Sequence, residues 1–293
     1  EVRAAVEADI DLSVNSVPAL EAVVAAGQGS SRRPRIHLKI DTGMGRNGCA
    51  VQEWPQLIDA TRRAPVEVVG VWTHLANADA GVEGARDAAA PGPSVRQQVD
   101  ALTVAIDAAQ AAGLAPQLRH CANTAGVIAH PPAHLDLVRI GIGLVGLRAM
   151  AAGIAQPDLR PAMRVTSTVV LERSLPVGAS VGYGSTWTAL RPSRVGLVPM
   201  GYADGLPRAA SGRARLLVDD TLVPIIGRVS MDQCVVDLTD AAGARAGSTV
   251  VVFGDPARGE PSADDLARDV DTIGYEIVTG LGSRVARRVM GES

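Results

Sequence analysis

Residues His37–Gly48 read HLKIDTGMGRNG: a short apolar strand running straight into a glycine-rich turn that carries Asp41 and Arg46. Polar groups on the loop after a strand's carboxyl end are where an α/β barrel places its chemistry. The strand also holds Lys39, the only lysine in a chain with 28 Lys+Arg. Fixed by a carboxylate such as Asp41, such a lysine is structural. Desolvated, or crowded by a second cation, it becomes a reactive amine.

Outward from this stretch, strand and helix patterns alternate. Strands are expected at Ile10–Val14, Arg35–Asp41, Val66–Leu75, Pro116–Asn123 and Leu135–Gly141, with helices at Pro18–Ala26, Val51–Arg63 and Thr124–Ala129. VEVVGVWTHL is nearly continuous in apolar residues, as in a strand buried on both faces of a parallel sheet. After an Ala/Gly/Asp-rich loop from Asn77 to Pro93, Ser94 and Gln97 form a capping box for a helix whose Val99, Leu102 and Ile106 share a face; Gly113 stops it. This alternation means a parallel α/β sheet or barrel.

From Met163 onward the long helices vanish. MRVTSTVVLER, SRVGLVPMG, ARLLVDDTLVPIIGRVS, CVVDLT and STVVVFG are strands punctuated by Gly and Pro, and read as a mostly antiparallel β-domain. A helix led by Ser262 and the Asp271–Leu281 segment close the chain. The expected division is 1–157 for a partial TIM-type α/β barrel and 158–293 for the β-rich domain. Five βα units fall short of the eight, of about 30 residues each, that close a barrel. Either the sheet is open or roughly 90 residues of barrel precede Glu1, and a first residue that is not methionine favours the second expectation.

Composition narrows the function. The 293 residues are 47% hydrophobic with a net charge of −3, which fits a globular protein with acids and bases interspersed. No basic stripe or aromatic platform points to nucleic acid, and no apolar run spans a membrane. Three widely spaced cysteines suit neither a disulfide framework nor a zinc site, so no metal is expected. A cytoplasmic location is the expectation. Aromatics make up only 2% of the chain, and Tyr183, Tyr202 and Tyr275 all lie beside glycines or in motifs.

Lys39, His74, Asn123 and Arg139 each stand at the end of an apolar strand, and four such groups in register would converge on one barrel mouth. A lone strand-end histidine would merely bond backbone. Asn123 and Thr124 open a short helix whose free N–H groups attract anions, and Gly141–Gly143 allow close backbone approach. Phosphate is the expected ligand of these last loops.

Taken together, KIDTGMGRNG, THLANAD, HCANTAG, VRIGIGLVG, VGYGSTW, GYADGLPR, GRVSMDQCVVDL and TIGYEIV resemble the fold-type III pyridoxal-phosphate (PLP) enzymes, specifically the alanine racemase family. The resemblance runs over essentially the whole chain. It implies a PLP-binding barrel followed by a β-domain, interconversion of L- and D-alanine for peptidoglycan, and a homodimer whose active site is shared between subunits.

Position by position, the resemblance makes Lys39 a carbamylated lysine that holds Arg46, and Arg46 a contact of the substrate carboxylate and the cofactor's phenolic oxygen. Arg139 would face the pyridine nitrogen. Arginine does not give up a proton, so the ring would be a weaker electron sink and Cα reprotonation would be favoured. His74 would connect this network to Tyr183, one of two opposed bases, contributed by the partner subunit. Tyr202, Met231 and Asp232 match substrate-side positions. Asn123 would be cofactor-binding with Thr124, Gly141, Ile142 and Tyr275, the last four matching positions around the cofactor phosphate; Thr124 replaces the more usual serine.

The family's Schiff-base lysine has no match in this sequence, and the chain is expected to bind PLP weakly and racemise poorly alone. Two other readings stand: a broader amino-acid racemase or D-amino-acid lyase of the same fold, and a non-catalytic remnant that binds cofactor or dimerises.

Overall fold

A computed structural model describes residues 1–81 and 92–291. The chain forms two compact units, Glu1–Gly141 with Ala149–Pro157, and Ile142–Arg148 with Asp158–Ser293.

The first unit has four parallel strands, β1 (Leu12–Val14), β2 (Arg35–Lys39), β3 (Glu67–Trp72) and β4 (Leu118–His120), in the order β1-β2-β3-β4. Around them run helices α1 (Val2–Glu7), α2 (Val17–Gly27), α3 (Trp54–Arg63), α4 (Val95–Ala111) and α5 (Thr124–Ala129). This is an arc of an α/β barrel. The Ser94–Gln97 capping box forms as the sequence requires. Ile36 and Leu38 on β2 are fully buried in one apolar cluster with Leu20, Leu57 and Leu102 from the helices. Because successive side chains alternate, Arg35, His37 and Lys39 occupy the opposite face of β2. Register brings Ser13 beside His37, Gly70 beside His37, Trp72 beside Lys39, and His120 beside Trp72. The inner face of the sheet is thus polar, and the outer face is the core.

The structure differs from the sequence reading in two places. Leu135–Gly141 is not a strand. Asp136 and Arg139 donate their N–H groups to Arg119 and Ala122 carbonyls, but the Arg119 N–H goes to the Asp136 carboxylate instead of a ladder carbonyl. Leu135, at φ 47°, also breaks the extended run. The helix Val2–Glu7 is the other difference; its six residues are too few for a periodic signal. Of the expected loop from Asn77 to Pro93, residues 82–91 lie outside the described residues.

The second unit is built on a seven-stranded antiparallel sheet. Its strands are β5 (Val165–Thr168), β6 (Leu171–Leu175), β9 (Ser193–Val198), β10 (Arg215–Val218), β11 (Thr221–Ile226), β12 (Cys234–Asp237) and β13 (Thr249–Phe253). They lie in the order β5-β13-β10-β11-β12-β9-β6. A small hairpin, β7 (Ser180–Val181) with β8 (Trp187–Thr188), stands apart. The two-residue turn between β10 and β11 puts Asp219 at φ 51°, a conformation aspartate tolerates. Helices α6 (Ala263–Asp269) and α7 (Gly274–Thr279) pack Leu266 and Ile277 into the core with Phe253. Ser262 and Asp265 form the capping box of α6.

Candidate active site

Lys39 ends β2 on the polar inner face and is only 8% exposed. Its Nζ lies 4.5 Å from the centre of the Trp72 ring, and the Arg139 guanidinium carbon lies 4.6 Å from the same ring. Asp41 does not pair with Lys39. Its carboxylate instead accepts the backbone N–H groups of Gly43, Met44 and Gly45, and so folds the glycine-rich turn. Burial first, then the Arg46 and Arg139 guanidiniums, hold the Lys39 ammonium below the usual lysine range against a weaker opposing pull from Asp41. Arg46 itself is exposed on the turn.

Arg139 follows β4 and stays beside it through its N–H bond to Ala122. Its Nη1 donates to His120 Nδ1 at 2.9 Å, and its Nη2 donates to the Thr73 and Cys121 carbonyls at 3.1 and 3.3 Å and to His74 Nδ1 at 3.3 Å. Burial, reinforced by Arg139, pushes His120 down to about 3 and His74 down to about 4. Both imidazoles are neutral at pH 7. His120 stacks on Trp72 with ring centres 5.3 Å apart, and Trp72 Nε1 donates to Ser13 Oγ at 3.1 Å. Behind His120 lie His37, at 3.0 Å, and Asp11, at 3.2 Å from His37.

Asn123 caps α5, accepting the Gly126 N–H at 2.9 Å, while Thr124 Oγ1 accepts the Gly141 N–H at 3.1 Å. The expected anion loop is therefore tied together partly by its own groups. Ile142 lies at the start of the second unit with its side chain against that unit's core.

In the second unit, Tyr183 sits in a tight turn opened by Gly182 at φ 75° and is 72% exposed. It lines a cavity of about 500 Å³ with Met231 and Asp232. The Tyr202 and Ala203 N–H groups bond the Ser230 and Met231 carbonyls at 3.1 and 2.9 Å, joining the GYADG and SMDQ turns. Arg284 ties them again, 2.8 Å from Asp232 and 2.9 Å from Asp204. Tyr275 is exposed on α7. Each unit thus gathers most of its own share of the expected residues: Lys39, His74 and Arg139 in one, Tyr183, Met231 and Asp232 in the other.

Asp11, His37, Trp72 and His120 were not among the expected site residues. The signal for His37 was available: it stands two residues before Lys39, hence on the same strand face.

Residues 1–149 match the family model for the alanine racemase N-terminal domain, and residues 162–289 match that for the alanine racemase C-terminal domain. The chain is 44% identical over 292 residues to the alanine racemase of Beutenbergia cavernae, covering 98% of this chain and 75% of that one. It belongs to the alanine racemase family. The solved alanine racemase from D-cycloserine-producing Streptomyces lavendulae superposes with a TM-score of 0.91 at 40% identity, over 100% of this chain and 75% of that one. An alanine racemase from Bartonella henselae with covalently bound pyridoxal phosphate matches at a TM-score of 0.81 and 27% identity, over 97% of this chain and 74% of that one.

Alanine racemases are PLP-dependent, and the donor set of the first unit fits that cofactor. Lys39, Arg46 and Arg139 have no carboxylate partner among the described residues, and Arg139 Nε has no hydrogen-bond acceptor there. Cations without ion-pair partners, Lys39 and Arg139 on a partly buried polar face and Arg46 on the adjoining turn, suit a ligand bearing a phosphate and a phenolate.

Proposed function

We propose that this alanine racemase family member interconverts L-alanine and D-alanine with PLP, and that the D-alanine is destined for peptidoglycan. The observation that carries the reading is Lys39 and Arg139 on the inner sheet face with Arg46 on the adjoining turn, three cations with no ion pair to a carboxylate among the described residues and only a weaker pull of Asp41 on Lys39. When bound, PLP supplies the electron sink that acidifies the Cα–H bond of the amino acid.

The chain's own groups divide the remaining work. Arg139 would offer its guanidinium to the pyridine nitrogen and keep its proton, since arginine is not deprotonated in proteins even where, as here, burial lowers its pKa. By the family resemblance, Asn123, Thr124 and Gly141 of the first unit would hold the phosphate, and Ile142 and Tyr275 are matched to the same group. The lowered pKa of Lys39 leaves more of its amine neutral, so its Nζ lone pair can attack carbon dioxide, forming an N–C bond and releasing one proton. The carbamate anion then sits among cations and holds Arg46 toward the substrate carboxylate. His74, neutral and bonded to Arg139, extends this network.

Tyr183 Oη takes or returns the Cα proton on one face. Its exposure suits a phenol presented to a partner subunit, with Met231, Asp232 and Tyr202 arranged beside it on the substrate side. The second base and covalent anchor is a lysine in this reading. Lys39 is the only lysine in the 293 residues and is assigned to the carbamate. The chain by itself is therefore expected to hold PLP without a covalent bond and to racemise poorly. That sole lysine also favours a second reading, a cofactor-binding, dimerising protein without turnover.

Borohydride reduction in the presence of PLP, followed by peptide mapping and a D-alanine to L-alanine assay, tests this. An unmodified Lys39 with weak turnover is expected. A stoichiometric adduct on Lys39 with full racemisation would overturn the carbamate assignment, and retained PLP binding with no turnover at all selects the second reading.

A further inference from the structure

Arg139 determines where the protons lie along the side chains behind it. A guanidinium has donors only, so His120 Nδ1, 2.9 Å from Arg139 Nη1, must accept. A neutral imidazole carries one N–H. The His120 proton is therefore on Nε2, and it is donated to His37 Nδ1 at 3.0 Å. That leaves His37 Nδ1 bare and places its single proton on Nε2, facing Asp11 Oδ2 at 3.2 Å. A histidine beside an aspartate ordinarily gains a proton. Here a second proton on His37 would set two N–H groups against each other, at His120 or, after a tautomer change, at Arg139.

Gly70 makes the line possible. It lies on β3, between the strands that carry His37 and His120. A Cβ there would stand 2.4 Å from His37 Nδ1 and 2.8 Å from the Leu118 carbonyl. Its φ lies outside the left-handed region, so the position needs glycine for space alone.

We propose that Asp11, His37 and His120 form a proton-ordered relay that positions Arg139, crossing β3 over Gly70. Asp11, itself paired with Arg35, is the anionic end. Each N–H polarised toward it makes the next ring nitrogen a better acceptor. The guanidinium is thereby held with Nη1 toward His120 and Nη2 toward the carbonyls, leaving Nε for a ligand. The relay matters to racemisation only through the role given to Arg139 above. Its existence does not depend on that role. Asp11, His37 and His120 are positioning residues in this arrangement.

The test is two-bond ¹⁵N–¹H correlation on the His- and Arg-labelled chain at pH 7 without PLP. His37 and His120 are both expected as neutral Nε2–H tautomers; an Nδ1–H tautomer at either, or a doubly protonated His37, overturns the relay. Positioning is read from solvent exchange of the Arg139 Nη1 protons. In His37→Leu, which leaves His120 without an acceptor, exchange is expected to quicken roughly ten-fold, the worth of one hydrogen bond. In His37→Gln, whose amide oxygen can accept from His120, it stays near the original rate. Equal exchange in all three proteins overturns the positioning role. Gly70→Ala should behave as His37→Leu does, and His37→Leu carries the test if Gly70→Ala does not fold. A PLP titration is run alongside. The expected tautomers without PLP binding would leave the relay standing and overturn the cofactor reading.

Discussion

Lys39 holds its ammonium 4.5 Å from the centre of the Trp72 indole, and that ring face is its partner in place of a carboxylate. A cation–π contact of this kind contributes about 0.5–2 kcal/mol, less than a buried ammonium loses on leaving water. The site therefore favours any modification that removes the positive charge. Incubation with ¹³C-labelled bicarbonate is expected to give one carbamate carbon signal coupled to Lys39 nitrogen, absent from Lys39→Met. An unlabelled Lys39 at saturating bicarbonate would remove the basis for holding Arg46 through this residue.

Trp72 also supports Arg139 and donates to Ser13, so its replacement separates ring face from indole N–H. Trp72→Phe keeps a face for both cations and is expected to cost about 1 kcal/mol, mainly the hydrogen bond and the smaller ring. Trp72→Leu loses the face as well and is expected to cost about 2–4 kcal/mol in urea unfolding. Equal losses in the two variants would mean that the cations gain nothing from the ring.

Acid is expected to weaken the first unit through His74 and His120. Their folded values of about 4 and about 3 lie below the ordinary 6.5. Between pH 6.5 and about 4 the unfolded chain therefore binds protons that the folded chain refuses, so stability falls as pH falls. Above pH 6.5 both states are neutral at these sites and the effect vanishes. One refused proton is worth about 1.4 kcal/mol per pH unit. Carboxylates add their own slope in acid, so the comparison is with His120→Gln. Its stability between pH 6.5 and 5 is expected to depend on pH by about one proton less than the parent's. Identical slopes would show that His120 titrates normally.

Local signals carried well from sequence to structure. The Ser94–Gln97 box begins α4, and the strand expected over Arg35–Asp41 forms over Arg35–Lys39, with Lys39 at its end. What failed was knowledge of neighbours. VRIGIG carries Val138, Ile140 and Ile142 in alternation, as a strand could, yet Asp136 takes the Arg119 N–H that a fifth strand would need. The inner polar face was also hidden. Asp11, His37, Gly70 and His120 lie on four different strands or their leads, and only parallel register places them together. In the second unit, Tyr183, Met231 and Asp232 were found through family motifs, since no periodic pattern links residues that far apart on turns.

Gly146 and Gly178 separate two uses of the left-handed backbone. Both have positive φ, 72° and 84°, but a Cβ on Gly146 would lie 1.8 Å from the Arg160 carbonyl oxygen, whereas Gly178 has open space. Gly178→Ala is expected to cost about 1 kcal/mol, from backbone strain alone. Gly146→Ala must also displace main chain and is expected to cost more than about 3 kcal/mol by urea titration. Comparable losses in both would refute the close approach at Gly146.

Gly201 holds the GYADG and SMDQ turns in register in a different way. Its φ lies outside the left-handed region, yet a Cβ would stand 2.3 Å from the Ser230 carbonyl oxygen and 2.4 Å from that of Met231. Those same oxygens accept the Tyr202 and Ala203 N–H groups. Gly201→Ala is therefore expected to push the Met231–Asp232 turn away and raise amide exchange at Tyr202 and Ala203 together. Arg284 acts on the same pair of turns from outside, through Asp204 and Asp232, but it is exposed. Arg284→Ala is expected to change global stability by less than about 1 kcal/mol and to leave the two amides protected. Fast exchange in Arg284→Ala, with slow exchange in Gly201→Ala, would reverse this assignment. It would make the ion pairs, rather than the close backbone contact, what keeps Met231 and Asp232 beside Tyr183.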